Sequence, residues 1–485
     1  MSLKRNTFYN LTGSVLPIAV SLVTVPMYLH YVGVERYGVL AIVWMLLGYF
    51  GFFDLGLPRA TANQVAKMKD ATPTERQEFV WTALVLNSCF GLLGSLAVYL
   101  VAPPLLEHVF KMESHLRVEV VAALPWMACA IPLATITGVL VGALDGRERF
   151  LIVNSLQALS TILFQIIPLA VAIAYGAQLQ WIVAAAVLVR VFTAVMLYVA
   201  LAKEFPNRHA RFDMKWVKPL LSYGGWVSVT GFILPILESI DRFIIGAVLG
   251  ARSVAIYTVP FNLVSRLRIL PIAINRTLFP RLSSINHEGA DELSLRAMNL
   301  LVAIFTPVIV VGMFLVKPFM VIWVGNEIAQ EAAPLAMTLM VGVWINGLAH
   351  IPFCLLEAKG RPDLIAKLHL STLPIFAGLL WSGAHYWGIQ GVALAWMTRV
   401  WIDSNILFWM AGLLKPCWRK IWQGGFVIIF SCLLAMIKPD AVMLCVILIL
   451  ISFIWAWTIE PIFRQTGNAV YARLKLFLYE INYLR

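Results

Sequence analysis

Residues 179–202 read LQWIVAAAVLVRVFTAVMLYVALA, and they decide what kind of protein this is. Arg190 is the single charge in the run. As a helix rising 1.5 Å per residue the stretch is about 36 Å long, enough to cross the roughly 30 Å hydrocarbon core of a bilayer. Working outward, similar runs recur along the whole chain, at 7–32, 37–57, 79–103, 117–143, 150–176, 219–248, 252–280, 296–316, 332–357, 363–386, 390–414, 421–437 and 440–460. The chain of 485 residues is 61% apolar and only 13% charged. A soluble or disordered chain carries about twice that share of charge. The expected fold is therefore an all-α polytopic membrane protein with about 14 transmembrane helices. The start, Lys4-Arg5 before an apolar run, has no small-residue cleavage site after it and is kept as the first helix.

The net charge of +12 is distributed in a way that gives topology and not nucleic-acid binding. With the N-terminus in the cytoplasm, 25 Lys and Arg fall in inner loops and tails and 6 in outer ones. That bias places both termini inside.

The sequence also repeats. Leu57-Pro58-Arg59 recurs as Phe279-Pro280-Arg281, Asp145-Gly146-Arg147 as Lys359-Gly360-Arg361, and Gly33 as Gly250, at offsets of 222, 214 and 217. Six helices per half is an even number, so the repeat is parallel. The expected organisation is a six-helix lobe at 1–203, a basic cytoplasmic linker at 204–218, a second six-helix lobe at 219–414, two additional helices at 415–460, and an amphipathic cytoplasmic tail at 461–485.

The remaining six arginines lie inside the oil, where a charge marks a bundle interior or a wet path. They are Arg190, Arg242, Arg266, Arg268, Arg276 and Arg399; the acids at similar depth are Asp54, Glu238, Asp241, Glu357 and Asp403. Glu238 with Arg242, and Arg399 with Asp403, are spaced four apart and can pair on one helix face. On a straight helix Arg266 and Arg268 point roughly 160° apart, unless Pro271 redirects the second half. Arginine suits bidentate capture of phosphate oxygens. Trp226, Tyr257, Trp344 and Trp396 are candidates to stack on sugar rings.

Catalytic and cofactor signals are lacking. The sequence has no HExxH, no Gly-rich phosphate loop and no CxxC, and its six cysteines lie in or beside apolar runs. No metal, cofactor or enzymatic activity is expected. The longest outward loop, Pro104 to Leu116, is too short for a membrane polymerase or ligase.

Three segments carry a resemblance. Gly33–Gly56 (GVERYGVLAIVWMLLGYFGFFDLG) resembles the opening of the polysaccharide flippases, which export lipid-linked O-antigen units. These belong to the multidrug/oligosaccharidyl-lipid/polysaccharide exporter superfamily. Gly142–Asn154 (GALDGRERFLIVN) is similar to their helix four to five junction, and Asp241–Tyr257 (DRFIIGAVLGARSVAIY) to their helix seven to eight junction. The resemblance implies two lobes around a central cavity that opens alternately to each side. It implies export of undecaprenyl-diphosphate-linked oligosaccharide across the bacterial inner membrane, coupled to H+ or Na+. Arg242, Arg266, Arg268, Arg276 and Arg399 would contact diphosphate or acidic sugars. Asp54, Glu238, Asp241 and Asp403 would carry ion coupling or gating. Spans 13 and 14 are candidates to meet polysaccharide assembly enzymes. Drug exporters of the superfamily often carry an acid in helix one, and Thr7–Val32 has none, which favours an anionic lipid cargo. Glu238 and Asp241 favour the alternative, a cation antiporter for drugs or metabolites.

Overall fold

The computed structural model describes residues 19–49, 53–68, 71–108, 113–204, 211–282, 285, 287–437 and 442–459. They form helices α1 (19–31), α2 (Val34–Tyr49), α3 (Leu57–Lys67), α4 (Pro73–His108), α5 (Ser114–Gly146), α6 (Phe150–Tyr175), α7 (Leu179–Ala202) and α8 (Val217–Val248). These are followed by α9 (Ala251–Ser265), α10 (Ile269–Leu282), α11 (His287–Val324), α12 (Asn326–Ala358), α13 (Pro362–Met410), α14 (Leu414–Ile437) and α15 (Val442–Ile459). The described residues contain no strand. Eight of the helices are long and apolar enough to cross a membrane. The expected tail at 461–485 and the start of the first span lie outside the described residues.

Helix α7 shows why the opening stretch reads as it does. Ile182, Val183, Ala186, Val189, Leu197 and Leu201 are buried against α5 and α6. Leu188, Val191, Phe192, Val195, Tyr198 and Val199 form an exposed stripe at i, i+3, i+4, i+7 spacing. Both faces are apolar because one meets protein and the other meets lipid. The boundary residue, Arg190, holds its guanidinium carbon 5.3 Å from the Phe164 ring centroid on α6.

Several helices outrun the apolar windows: α11 covers 287–324 where the oil covers only 296–316. The window marks the hydrocarbon, and the helix continues through the headgroup layer, where charge is tolerated. The second span, expected at 37–57, ends at the turn Asp54-Leu55-Gly56, with φ of 48° at Leu55 and 71° at Gly56, and α3 follows it as a separate helix. The eighth, expected as one helix, divides into α9 and α10 around a 3-10 turn at Arg266–Arg268. Conversely, α13 has 49 residues, about twice what a bilayer needs. It folds back at Gly388 (φ 59°, ψ −144°) into two spans, as the sequence windows at 363–386 and 390–414 require.

By internal packing the chain forms two compact units, residues 1–258 and 259–485. In the first, α5 packs on α3, α4 and α7, and α8 packs on α2, α3 and α4. The basic stretch expected as a linker is anchored there at its C-terminal end: the Asp213 N–H donates to Thr82 Oγ1 at 3.0 Å, and Trp216 meets Phe79 edge-on. In the second unit α12 packs on α10, α11 and α13, and α11 packs on α14 and α15. Gly33 and Gly250 take positive φ, 89° and 91°, at the ends of short connections, as do Gly176 and Gly388.

Candidate functional site

A buried polar cluster sits where α8 and α9 meet. Asp241, 1% exposed, has both carboxylate oxygens engaged. The Tyr257 hydroxyl donates to Oδ2 at 2.8 Å, and the Arg242 main-chain N–H donates to Oδ1 at 2.8 Å. The Arg242 guanidinium, 6% exposed, donates from Nη1 to the Glu238 carbonyl at 2.7 Å and stands 3.4 Å from Asp241 Oδ1. Met45 Sδ is 4.0 Å from the same nitrogen. The expected Glu238–Arg242 proximity on one helix face therefore exists, through the main-chain oxygen of Glu238, whose residue is exposed. A carboxylate and a guanidinium this deep are tolerable because each holds the other and a hydroxyl fills a remaining lone pair.

Tyr257 is a residue the spacing arguments placed differently. It is fully buried and bonded to Asp241, so it is a partner of the acid and not a sugar platform. The signal that could have found it is positional. Asp241 and Tyr257 are equidistant in sequence from Leu249 at the tight turn, and equal rise on two antiparallel helices puts them at one depth. Trp344 and Trp396 are also core residues. Trp344 Nε1 donates to Thr306 Oγ1 at 3.1 Å, and Trp396 packs edge-on to Phe261 at 5.5 Å. The Trp226 side chain lies outside the described residues.

The second charged pair forms as its spacing predicts: Arg399 Nε is 2.9 Å from Asp403 Oδ2, with the guanidinium carbon 5.2 Å from the Phe376 ring centroid. At the α9–α10 break, the 3-10 geometry turns about 120° per residue, which brings Arg266 and Arg268 to roughly 120° apart instead of the 160° of a straight helix. Arg266 is exposed and Arg268 half-buried, within electrostatic reach of the half-buried His350 on α12. The Arg276 side chain lies outside the described residues. Asp54 is half-buried and accepts from the Gly56 N–H at 2.8 Å, so it holds the turn that opens α3. Within the first unit the structure brings together Asp241, Arg242 and Glu238; within the second it pairs Arg399 with Asp403 and sets Arg266 and Arg268 on the turn between α9 and α10. No group of three or more His, Cys, Asp or Glu among the described residues could hold a metal ion.

Comparison with known proteins gives a consistent setting for this geometry. Residues 3–286 match the family described as polysaccharide biosynthesis protein. A Shigella flexneri protein named as an O-antigen transporter is 30% identical over 414 residues, which cover 84% of this chain and 98% of the relative. The teichuronic acid biosynthesis protein TuaB of Bacillus subtilis is 25% identical over 222 residues, 42% of this chain and 46% of that one. Among solved structures, the lipid II flippase MurJ in an inward closed conformation superposes with a TM-score of 0.73 at 12% identity, covering 93% of this chain and 98% of that one. An inward-facing multidrug resistance MATE family transporter of the MOP superfamily gives 0.66 at 15%, covering 84% and 99%. At those identities the likeness is one of fold.

Proposed function

The chain belongs to the family of polysaccharide biosynthesis proteins, and from that membership we propose that it is a flippase for undecaprenyl-diphosphate-linked oligosaccharide units of a surface polysaccharide. It is a multi-pass membrane transporter and not an enzyme. The observation that carries the proposal is the likeness to the O-antigen transporter along nearly that protein's whole length. In our reading the chain lies in the bacterial inner membrane with both termini in the cytoplasm, and its six-helix halves, 1–203 and 219–414, alternate access.

The cargo is a diphosphate, so its headgroup brings negative charge into a low-dielectric space and needs fixed positive charge there. Arg266 and Arg268 lie in the 3-10 turn between α9 and α10, and Arg276 follows on α10; bidentate guanidinium forks there can meet phosphate oxygens. Arg242 and Arg399 are each held by a carboxylate, Asp241 and Asp403, and serve as charges released when their helices move. Asp54 and Glu238 complete the acidic set assigned to gating, with H+ or Na+ as the driving ion. The antiporter alternative leans on Asp241, and an acid already bonded by Tyr257 and Arg242 has little capacity left for a cationic drug.

The test is complementation of a strain lacking its O-antigen flippase, with surface polysaccharide read on gels. Wild-type chain restores the polysaccharide, and R266A/R268A inserts normally and restores less than about a tenth of it. Accumulated lipid-linked intermediate, identified by mass, accompanies the loss. Full polysaccharide in Arg→Ala variants at all five positions, Arg242, Arg266, Arg268, Arg276 and Arg399, overturns the site assignment. Drug sensitivity in a knockout with normal polysaccharide overturns the cargo class.

A further inference from the structure

The folded-back helix α13 holds a titratable group that none of the foregoing uses. His369, on the first half of α13, is 9% exposed, and its Nδ1 has no hydrogen-bond partner. Asp403 Oδ2, on the second half, is 3.8 Å away, about an ångström too far for a hydrogen bond. The same carboxylate is ion-paired on its own helix with Arg399, whose Nε lies 2.9 Å from Oδ2, while its Oδ1 is buried without a hydrogen-bond partner. The Thr372 hydroxyl, beside it, donates to the His369 carbonyl at 3.3 Å. Both members are equidistant from residue 386, beside the Gly388 bend, so the fold-back sets them at one depth.

The surrounding charges are few. Arg399 is the charged group acting on His369, and Arg399 with Thr372 acts on Asp403. On α12, His350 and Cys354 lie at comparable depth, but His350 feels Arg268 and Cys354 feels Glu357. On α14, Cys417 is next in line and feels Lys420.

We propose that His369, Asp403 and Arg399 form a proton-binding site that couples α13 to transport. A proton taken from solvent adds to His369 Nδ1, forming an N–H aimed at Asp403. Closing the last ångström gives the carboxylate a second cationic partner, loosens the grip of Arg399, and draws the two halves of α13 together. The empty trio is neutral overall; the loaded trio carries +1, which favours an anionic headgroup nearby. This rests on the flippase reading above and adds to it the driving ion and the residue that binds it.

The first arm needs no cargo. Full-length chain in phospholipid nanodiscs, with isotope-labelled histidine, is titrated from pH 8 to pH 4 by NMR, and the His369 signal is assigned by its loss in H369Q. The signal should titrate reversibly on acidification, and D403N should lower its proton affinity at least tenfold. A signal that stays neutral down to pH 4, or a midpoint unmoved by D403N, overturns the proposal. In the second arm H369Q, checked for wild-type insertion and thermal stability, should lose at least nine-tenths of the polysaccharide restored by complementation. Wild-type polysaccharide in H369Q rejects the coupling role. Wild-type chain that restores no polysaccharide while His369 titrates as stated rejects the flippase reading and leaves the proton site standing.

Discussion

Removing one oxygen atom from the α8–α9 cluster should cost more than the usual hydrogen bond between membrane helices. Tyr257→Phe keeps the ring, which is fully buried, and deletes the hydroxyl 2.8 Å from Asp241 Oδ2. Hydrogen bonds across transmembrane helices average about 0.6 kcal/mol and reach at most about 1.7. Bonds to a charged group in a buried site run to about 1.5–3 kcal/mol. Two features decide between these ranges. Asp241 is 1% exposed, so no water replaces the lost donor; yet Oδ1 keeps the Arg242 N–H and the nearby guanidinium. The expected cost is therefore about 1.5 kcal/mol, near the top of the membrane range. Asp241→Ala is the harsher change. It strips the carboxylate from a buried guanidinium and should cost about 3 kcal/mol or more. The assay is reversible unfolding of full-length chain in mixed micelles, with a double-mutant cycle over Y257F, D241N and their combination. A coupling energy of about 1–2 kcal/mol supports the arrangement. A coupling below about 0.3 kcal/mol would refute it, because the hydroxyl and the carboxylate would then be acting independently.

Other consequences are testable with less machinery. A Cβ on Gly38 would run into the Ala251 carbonyl on α9, so Gly38→Val should cost about 2 kcal/mol or more and cut folded yield, read by size-exclusion fluorescence. Glu204, just past α7, takes Arg149 Nε at 2.7 Å and Arg147 Nη2 at 3.4 Å, and the hydrogen bond from Arg149 holds its carboxyl below the usual range. A depressed folded value means the contribution is present above about pH 4.5 and lost as pH falls through the folded value. Melting curves from pH 7 to 3 should therefore show a steeper acid decline in wild type than in E204Q, and parallel declines would exclude the linkage. Single cysteines placed at Arg36 and Lys438 should label from outside intact spheroplasts and one at Lys203 only after lysis; labelling of all three from outside would invert or break the topology.

Several site members were legible from spacing alone, and the reason is local geometry. Residues four apart on a helix must share a face, so the Arg399–Asp403 pair followed directly from the chain. Other members were hidden because they meet across a turn whose sharpness a periodicity does not report. Tyr257 reaches Asp241 only because α9 doubles back on α8, and His369 nears Asp403 only because α13 folds at Gly388. The three sugar-stacking candidates whose side chains are described, Tyr257, Trp344 and Trp396, proved to be core. An aromatic residue inside an apolar run reads the same whether it faces lipid, lumen or another helix.

The sequence alone determined that this chain is helical and crosses a membrane repeatedly, and it set an expected orientation for the basic loops. Those properties depend on one-dimensional quantities, the length of apolar runs and the placement of Lys and Arg. Tertiary structure decided that a separate helix, α3, follows the second span, that the eighth carries a 3-10 turn at Arg266 and Arg268, and which carboxylates are already held. In oil every helix face is apolar, so hydrophobic patterning loses its power to say which face is inside. Only the packing of small residues and the pairing of buried charges then selects the interior, and both are contacts between residues far apart in the chain.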